Sequence, residues 1–185
     1  MKKIATKVIA AVVGVFLFAV LDTYVAIPSF IVSNTDLSIQ YGLLAFLSCL
    51  FGPVVGFVVG FGGHALALHY SGFWWPWVIS SGLFGLLTGF GGRYIKLAKR
   101  KFTGKSFLIF NGVQFVSNLV CFALLAPTLE ILLYNSNAGY VFRQGIVAAL
   151  SNTATTLVVG SLLCQILSMF ISQDRDYEKL KSSKA

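Results

Sequence analysis

Residues 36–66 read DLSIQYGLLAFLSCLFGPVVGFVVGFGGHAL, and no charged side chain follows Asp36 in that stretch. Apolar runs of roughly 18 residues or more read as membrane-spanning helices, because about 20 residues at 1.5 Å rise cross the hydrocarbon core. The FGP at 51–53 divides the stretch in two. Pro53 fits the first turn of a helix, where its missing N–H costs nothing. Residues 37–51 are therefore expected to form a short helix and 53–70 the next. Working outward, breaks at Pro, Gly and charge clusters give further spans near 7–27, 74–95, 106–126 and 141–171. The chain is 57% hydrophobic and 11% charged, with a mean hydropathy of +0.83, whereas soluble domains are about a quarter charged. The expectation is one all-α integral membrane domain over 1–185, a compact bundle of six transmembrane helices. The opening MKKIATKVIAAVVGVFLFAVLD has the basic start and apolar run of a signal peptide. No clear small-residue cleavage site follows it, so it reads as a retained first helix. Cys49, Cys121 and Cys164 stand singly in apolar stretches without CxxC spacing, as small buried residues do.

Orientation follows from the cations, because short loops rich in Lys and Arg stay cytoplasmic. Lys2, Lys3 and Lys7 precede the first span; Arg93, Lys96, Lys99, Arg100, Lys101 and Lys105 lie between the fourth and fifth; Arg175, Lys179, Lys181 and Lys184 form the tail. Six crossings bring all three clusters to one face, so both termini are expected to be cytoplasmic, with Arg143 alone near the outer side. Orientation and anionic lipid then account for the net charge of +8, and no nucleic-acid partner is expected.

All three tryptophans and both histidines fall within 61–82: Trp74, Trp75, Trp77, His64 and His69. This segment is expected at the outer surface, where tryptophans form an aromatic belt. Successive helical residues are 100° apart, so three tryptophans in four residues cannot all face lipid. At least one is expected to turn toward the protein or a cavity.

Small residues recur at Gly56, Gly60 and His64 with Gly63 and Ala67 beside them, and at Ser81, Gly85, Thr88, Gly89 and Gly92. Such stripes let helix backbones approach closely in a bilayer. Polar stripes run through Asn111, Gln114 and Asn118 and through Gln144, Ser151, Asn152 and Thr155. In hydrocarbon these either bond another helix or line a polar cavity. GFGGH and GFGGR are not phosphate loops, since neither matches GxxxxGK[ST]. His64 and His69 are five apart, not the i, i+4 of a helical metal pair. Asp22, Asp36 and Glu130 include no close pair at helical spacing for acid–base work. Neither catalytic residues nor a metal site are expected.

The stretch 36–66, the segment WWPWVISSGLFGLL at 74–87, a small-residue first helix and six short spans in 185 residues together resemble the S components of energy-coupling factor (ECF) vitamin transporters, nearest their cobalamin-type subgroup. The resemblance implies a non-catalytic, multi-pass subunit of the bacterial cell membrane that captures a vitamin outside. Its partners would be a transmembrane coupling subunit and two cytoplasmic ATPases, with surrounding lipid, and transport would proceed by tipping in the membrane. Cobalamin is the ligand implied first and another vitamin such as riboflavin the alternative, with no resident cofactor. Docking on the coupling subunit through an AxxxA-like first-helix stripe would fall on Thr6, Ala10 and Gly14, with Ala11 alongside; Gly replaces the second Ala. Substrate would sit in the outer half, against Asp36, Gln40, Tyr41, His69, Tyr70, Trp74, Trp75, Asn118 and Arg143. The rival is a stand-alone permeation protein or structural membrane subunit, but internal inverted repeats and broken midplane helices are not evident in the sequence.

Overall fold

Gly52 takes a φ of +98° between two helices, a backbone state that L side chains rarely adopt, and Pro53 opens the helix that follows. This corner turns α2 (Gln40–Phe51) back along α3 (Pro53–Ala67). The computed structural model describes residues 2–25, 27–28, 36–68, 74–98 and 101–182, with side chains described in 4–25, 38–68, 74–98 and 101–172. Besides α2 and α3 it contains α1 (Lys2–Tyr24), α4 (Trp75–Ile95), α5 (Gly104–Tyr134) and α6, which runs from Ala138 to Ser182. A two-residue antiparallel pair, β1 (Ile27–Pro28) with β2 (Asp36–Leu37), joins α1 to α2. The chain is thus an all-helical membrane bundle.

Among the described residues three stretches, Ile4–Tyr24, Gly104–Tyr134 and Ala138–Ser172, are long and apolar enough to cross a bilayer. At 1.5 Å per residue, α2 rises only about 18 Å and α3 about 22 Å, short of the ~30 Å hydrocarbon core. These two helices pack inside the bundle instead of each reaching across unaided.

Small residues set the spacing of α3 and α4. A Cβ built on Gly56 would stand 2.7 Å from the Gly85 carbonyl carbon, one on Gly60 2.7 Å from that of Ser81, and one on Gly89 2.5 Å from the Pro53 Cα. The expected glycine seam is therefore real, and it holds the two backbones in direct contact, as lipid-embedded helices without a hydrophobic drive require. On the other side α1 packs through Gly14, whose Cβ would meet Val59 at 2.7 Å, and through Phe18 laid over Gly63. Phe18, Leu44, Val59, Phe84 and Phe122 are fully buried at the centre.

The fifth span runs further than the sequence predicts. Pro127 reads as a stop, yet α5 continues to Tyr134 because Leu119–Leu125 is π-helical. There the Ala126 N–H donates to the Cys121 carbonyl, five residues back. The wider turn accommodates the ring of Pro127, which would otherwise press on the preceding turn's carbonyl. Gly145 of α6 fits against this bulge: a Cβ there would lie 2.5 Å from the Pro127 Cγ. A second π-helical turn, Thr156–Gly160, lies within α6.

Candidate functional site

The cation-bearing ends of the helices lie at one end of the bundle, and the tryptophans at the other. At the tryptophan end, side chains from five helices converge. Along α5, Asn118, Phe122, Ala126 and Glu130 recur every four residues and all are buried. Opposite them α4 presents Trp77 and Ser81, α2 presents Gln40 and Tyr41, α1 presents Phe18 and Asp22, and α3 presents His64.

Ser81 is the centre of the polar network. It is hydrogen-bonded to the Tyr41 hydroxyl at 2.8 Å and to the His64 Nδ1 at 2.7 Å, and it lies 2.9 Å from the Trp77 carbonyl of its own helix. The Trp77 indole N–H donates to the Glu130 carboxylate at 2.7 Å, linking α4 to α5. The Gln40 amide donates to Asp22, linking α2 to α1. Rings pack within the same cluster: Tyr41 meets Phe122 edge-on at 4.9 Å and Phe84 at 5.7 Å, and Trp77 stacks on Phe122 at 6.3 Å. Edge-to-face and offset-stacked pairs at such distances are favourable.

Of the residues expected to bind substrate, Gln40, Tyr41 and Asn118 belong to this cluster. Trp74 and Trp75 do not: they are 46% and 42% exposed on the bundle surface, Trp75 stacking on Phe61 at 6.3 Å. Trp77 is the indole turned inward, since two residues at 100° each bring it round to the side opposite Trp75. Arg143 is exposed, and its Nε donates to the Gly139 carbonyl of its own helix at 3.0 Å. Asp36 is placed by its backbone alone, in β2. His69 and Tyr70 lie outside the described residues. Among the described residues no group of three or more His, Cys, Asp or Glu could hold a metal ion.

The first-helix stripe divides. Thr6 is exposed and Ala10 half-buried, while Ala11 packs against the core. Gly14 is buried against Val59 and Leu47. Gly14 lies where α1 packs closely on α3.

Asp22, His64, Trp77, Ser81, Phe122 and Glu130 join the cluster without having been expected there. Trp77 was signalled by the angular argument. A lone acid in apolar sequence is itself a signal, but ending the fifth span at 126 put Glu130 in a loop and hid the four-residue spacing that leads to it.

The chain is thus a membrane-embedded helical bundle with a polar and aromatic cluster joined across five helices at the tryptophan end and glycine seams holding its helices together. The family described as "ECF-type riboflavin transporter, S component" matches residues 2–169, and the chain belongs to it. S components are non-catalytic substrate-binding subunits that work with an ECF transporter module, so this chain is a transporter subunit and not an enzyme. It is 43% identical over 169 residues to a UPF0397 protein of Lactococcus lactis subsp. cremoris, covering 90% of this chain and 92% of that one. A UPF0397 protein of Streptococcus gordonii is 42% identical over 159 residues, covering 85% and 84%, and one of Staphylococcus aureus is 39% identical over 168 residues, covering 88% and 91%. No solved structure matches the chain.

Proposed function

We propose that this chain captures a vitamin with a large conjugated ring system at the tryptophan end, which faces the outside of a bacterial cell, and passes it inward under the power of a coupling subunit and two cytoplasmic ATPases. The observation that carries this reading is the cluster of buried Tyr41, Phe84 and Phe122 with half-buried Trp77, interleaved with buried Gln40, Asn118 and Glu130. Aromatic faces with a few placed polar groups are what a planar ligand with hydrogen-bonding edges needs. Asp36, His69, Tyr70, Trp74, Trp75 and Arg143 form the rim in this proposal, and Thr6, Ala10 and Ala11 the docking stripe. Two ligands have separate support: riboflavin through the family's description, and cobalamin through the resemblance of 36–66 and 74–87 to the cobalamin-type subgroup.

The test is uptake of labelled riboflavin and of labelled cobalamin into proteoliposomes holding this chain with ECF coupling subunits, with and without internal ATP. ATP-dependent accumulation of one of them supports the proposal and identifies the ligand. An intact complex that accumulates neither removes both ligands, and failure to assemble with any coupling subunit overturns the proposed mode of powering.

A further inference from the structure

We infer that the buried site at the tryptophan end is a set of hydrogen-bond acceptors, and that it selects neutral or cationic vitamins presenting N–H or O–H donors while rejecting vitamins of net negative charge; this rests on the vitamin-capture reading above. The evidence begins with two orphaned atoms. Gln40 and Asn118 are fully buried, and the Oε1 of the first and the Oδ1 of the second have no hydrogen-bond partner. Buried amide oxygens are normally bonded, so each such exception calls for an explanation.

Which end of each amide is oxygen follows from the neighbours. The Gln40 nitrogen is committed to the Asp22 carboxylate, which can only be met by a donor. Asn118 is fixed by a directional chain. Its Nδ2 donates to the Gln114 carbonyl at 3.0 Å and the Gln114 Oε1 at 2.8 Å; the Gln114 Nε2 donates to the Asn111 Oδ1 at 3.3 Å and the Thr153 carbonyl at 3.4 Å; the Asn111 Nδ2 donates to the Ser161 hydroxyl and the Phe107 carbonyl, each at 3.0 Å. Turning Asn118 over would set its oxygen against two acceptors. The amide donors of the relay are thus all committed, to earlier residues of α5 and to Thr153 and Ser161 of α6, and the Asn118 oxygen is its unpaired end. The remaining buried orphans, the hydroxyls of Ser80, Thr153 and Thr156, can each accept or donate.

Charge points the same way. Asp22, Asp36 and Glu130 lie toward this end, and among the residues with described side chains Arg143 is the one Lys or Arg there. Among the described residues no Lys or Arg is buried, and Arg143 is engaged with its own helix. An anionic ligand would enter a low-dielectric site containing the Asp22 and Glu130 carboxyls and, among the described residues, no buried Lys or Arg, which is strongly unfavourable. A ligand edge bearing amide, imide or hydroxyl hydrogens would satisfy the acceptors.

The experiment is a binding panel on the purified full-length chain in nanodiscs, read by thermal shift and equilibrium dialysis. Riboflavin, cobalamin, thiamine and pyridoxine form the neutral and cationic arm. Riboflavin 5′-phosphate, biotin, niacin, folate and pantothenate form the anionic arm. Binding confined to the first arm, with riboflavin at least about 100-fold tighter than its phosphate if riboflavin is the ligand, is the expected result. Preferential binding of any anionic member overturns the inference and leaves vitamin capture standing. Binding of no member overturns vitamin capture itself, and the inference with it. The variant Glu130→Gln keeps an oxygen to accept from Trp77 but removes the carboxylate. It is expected to weaken the preferred ligand about tenfold and to narrow the neutral-to-anionic ratio. A lowered melting point with that ratio unchanged would show Glu130 to be structural only and would overturn its part in selection.

Discussion

Replacing Gly56 by Ala inserts one methyl between α3 and α4. It would stand 2.7 Å from the Gly85 carbonyl carbon and closer still to that carbonyl's oxygen and to Ser48 Oγ. Carbon contacts settle at about 3.5–4.0 Å, so the two backbones must part by roughly 1 Å. Overpacking of this kind costs about 1–3 kcal/mol, and in a chain of this size each kcal/mol moves the melting point by about 2–4 °C. A fall of roughly 2–12 °C is expected on those figures. The control is Gly112→Ala on α5, where an added Cβ meets nothing within 4 Å. There only the helix preference for Ala over Gly operates, about 1 kcal/mol in favour, and the melting point should rise slightly. Both proteins are purified in one detergent and their unfolding followed by tryptophan fluorescence and size exclusion. Because α3 carries His64 and α4 carries Ser81, joined at 2.7 Å, the parted seam should also weaken ligand binding in Gly56→Ala and leave it unchanged in Gly112→Ala. If Gly56→Ala melts at or above the parent temperature, alongside Gly112→Ala, the argument that close backbone contact holds this pair is refuted.

Trp77→Phe should keep the ring on Phe122 but remove the indole N–H that donates to Glu130, at a cost of about 1–3 kcal/mol. Melting of Trp77→Phe, Glu130→Gln and the double variant closes a mutant cycle, and strict additivity would show that the pair is uncoupled. Gly14→Leu should prevent accumulation of folded protein, since its side chain runs into Val59 and Leu47. Ala10→Leu, on a half-buried position, should leave ligand binding intact and abolish ATP-driven uptake; failure to accumulate as folded protein, as in Gly14→Leu, would place Ala10 in internal packing as well. Asn111→Leu removes the 3.0 Å bond to Ser161, and since interhelical hydrogen bonds in membranes average only about 0.6 kcal/mol, its melting point should change far less than that of Gly56→Ala.

Helix number and order were legible because they depend on local composition: the Gly52–Pro53 corner, the apolar runs and the cation clusters each act within a few residues. The glycine stripes were legible for a related reason, since spacing at i, i+4 already implies a close face. Pro127 was read by the same local rule and misled, because the rule assumes an α-helical turn. A π-helical segment beginning at Leu119 moves the carbonyl that the ring would strike, and nothing in the residues before Pro127 marks that change. The error reached the site, since Glu130 lies beyond it.

The rest of the site was hidden for a different reason. In hydrocarbon a polar side chain must find a partner whether it serves structure or ligand, so residue type cannot separate the two roles. Asn111, Gln114 and Asn118 form one stripe, yet Asn111 and Gln114 have partners for both their amide nitrogen and oxygen, within the relay and across to α6. Asn118 has its nitrogen bonded and its oxygen orphaned. What sets it apart is an unused acceptor, a quantity that exists only once every partner from every helix is in place. The same holds at Gln40, whose nitrogen is claimed by Asp22 from α1. The ligand-selecting property of this fold thus lies in what its hydrogen-bond network leaves unpaired, and a substitution that supplied a donor from within, such as Ala126→Ser between Phe122 and Glu130, could weaken capture without altering a single helix.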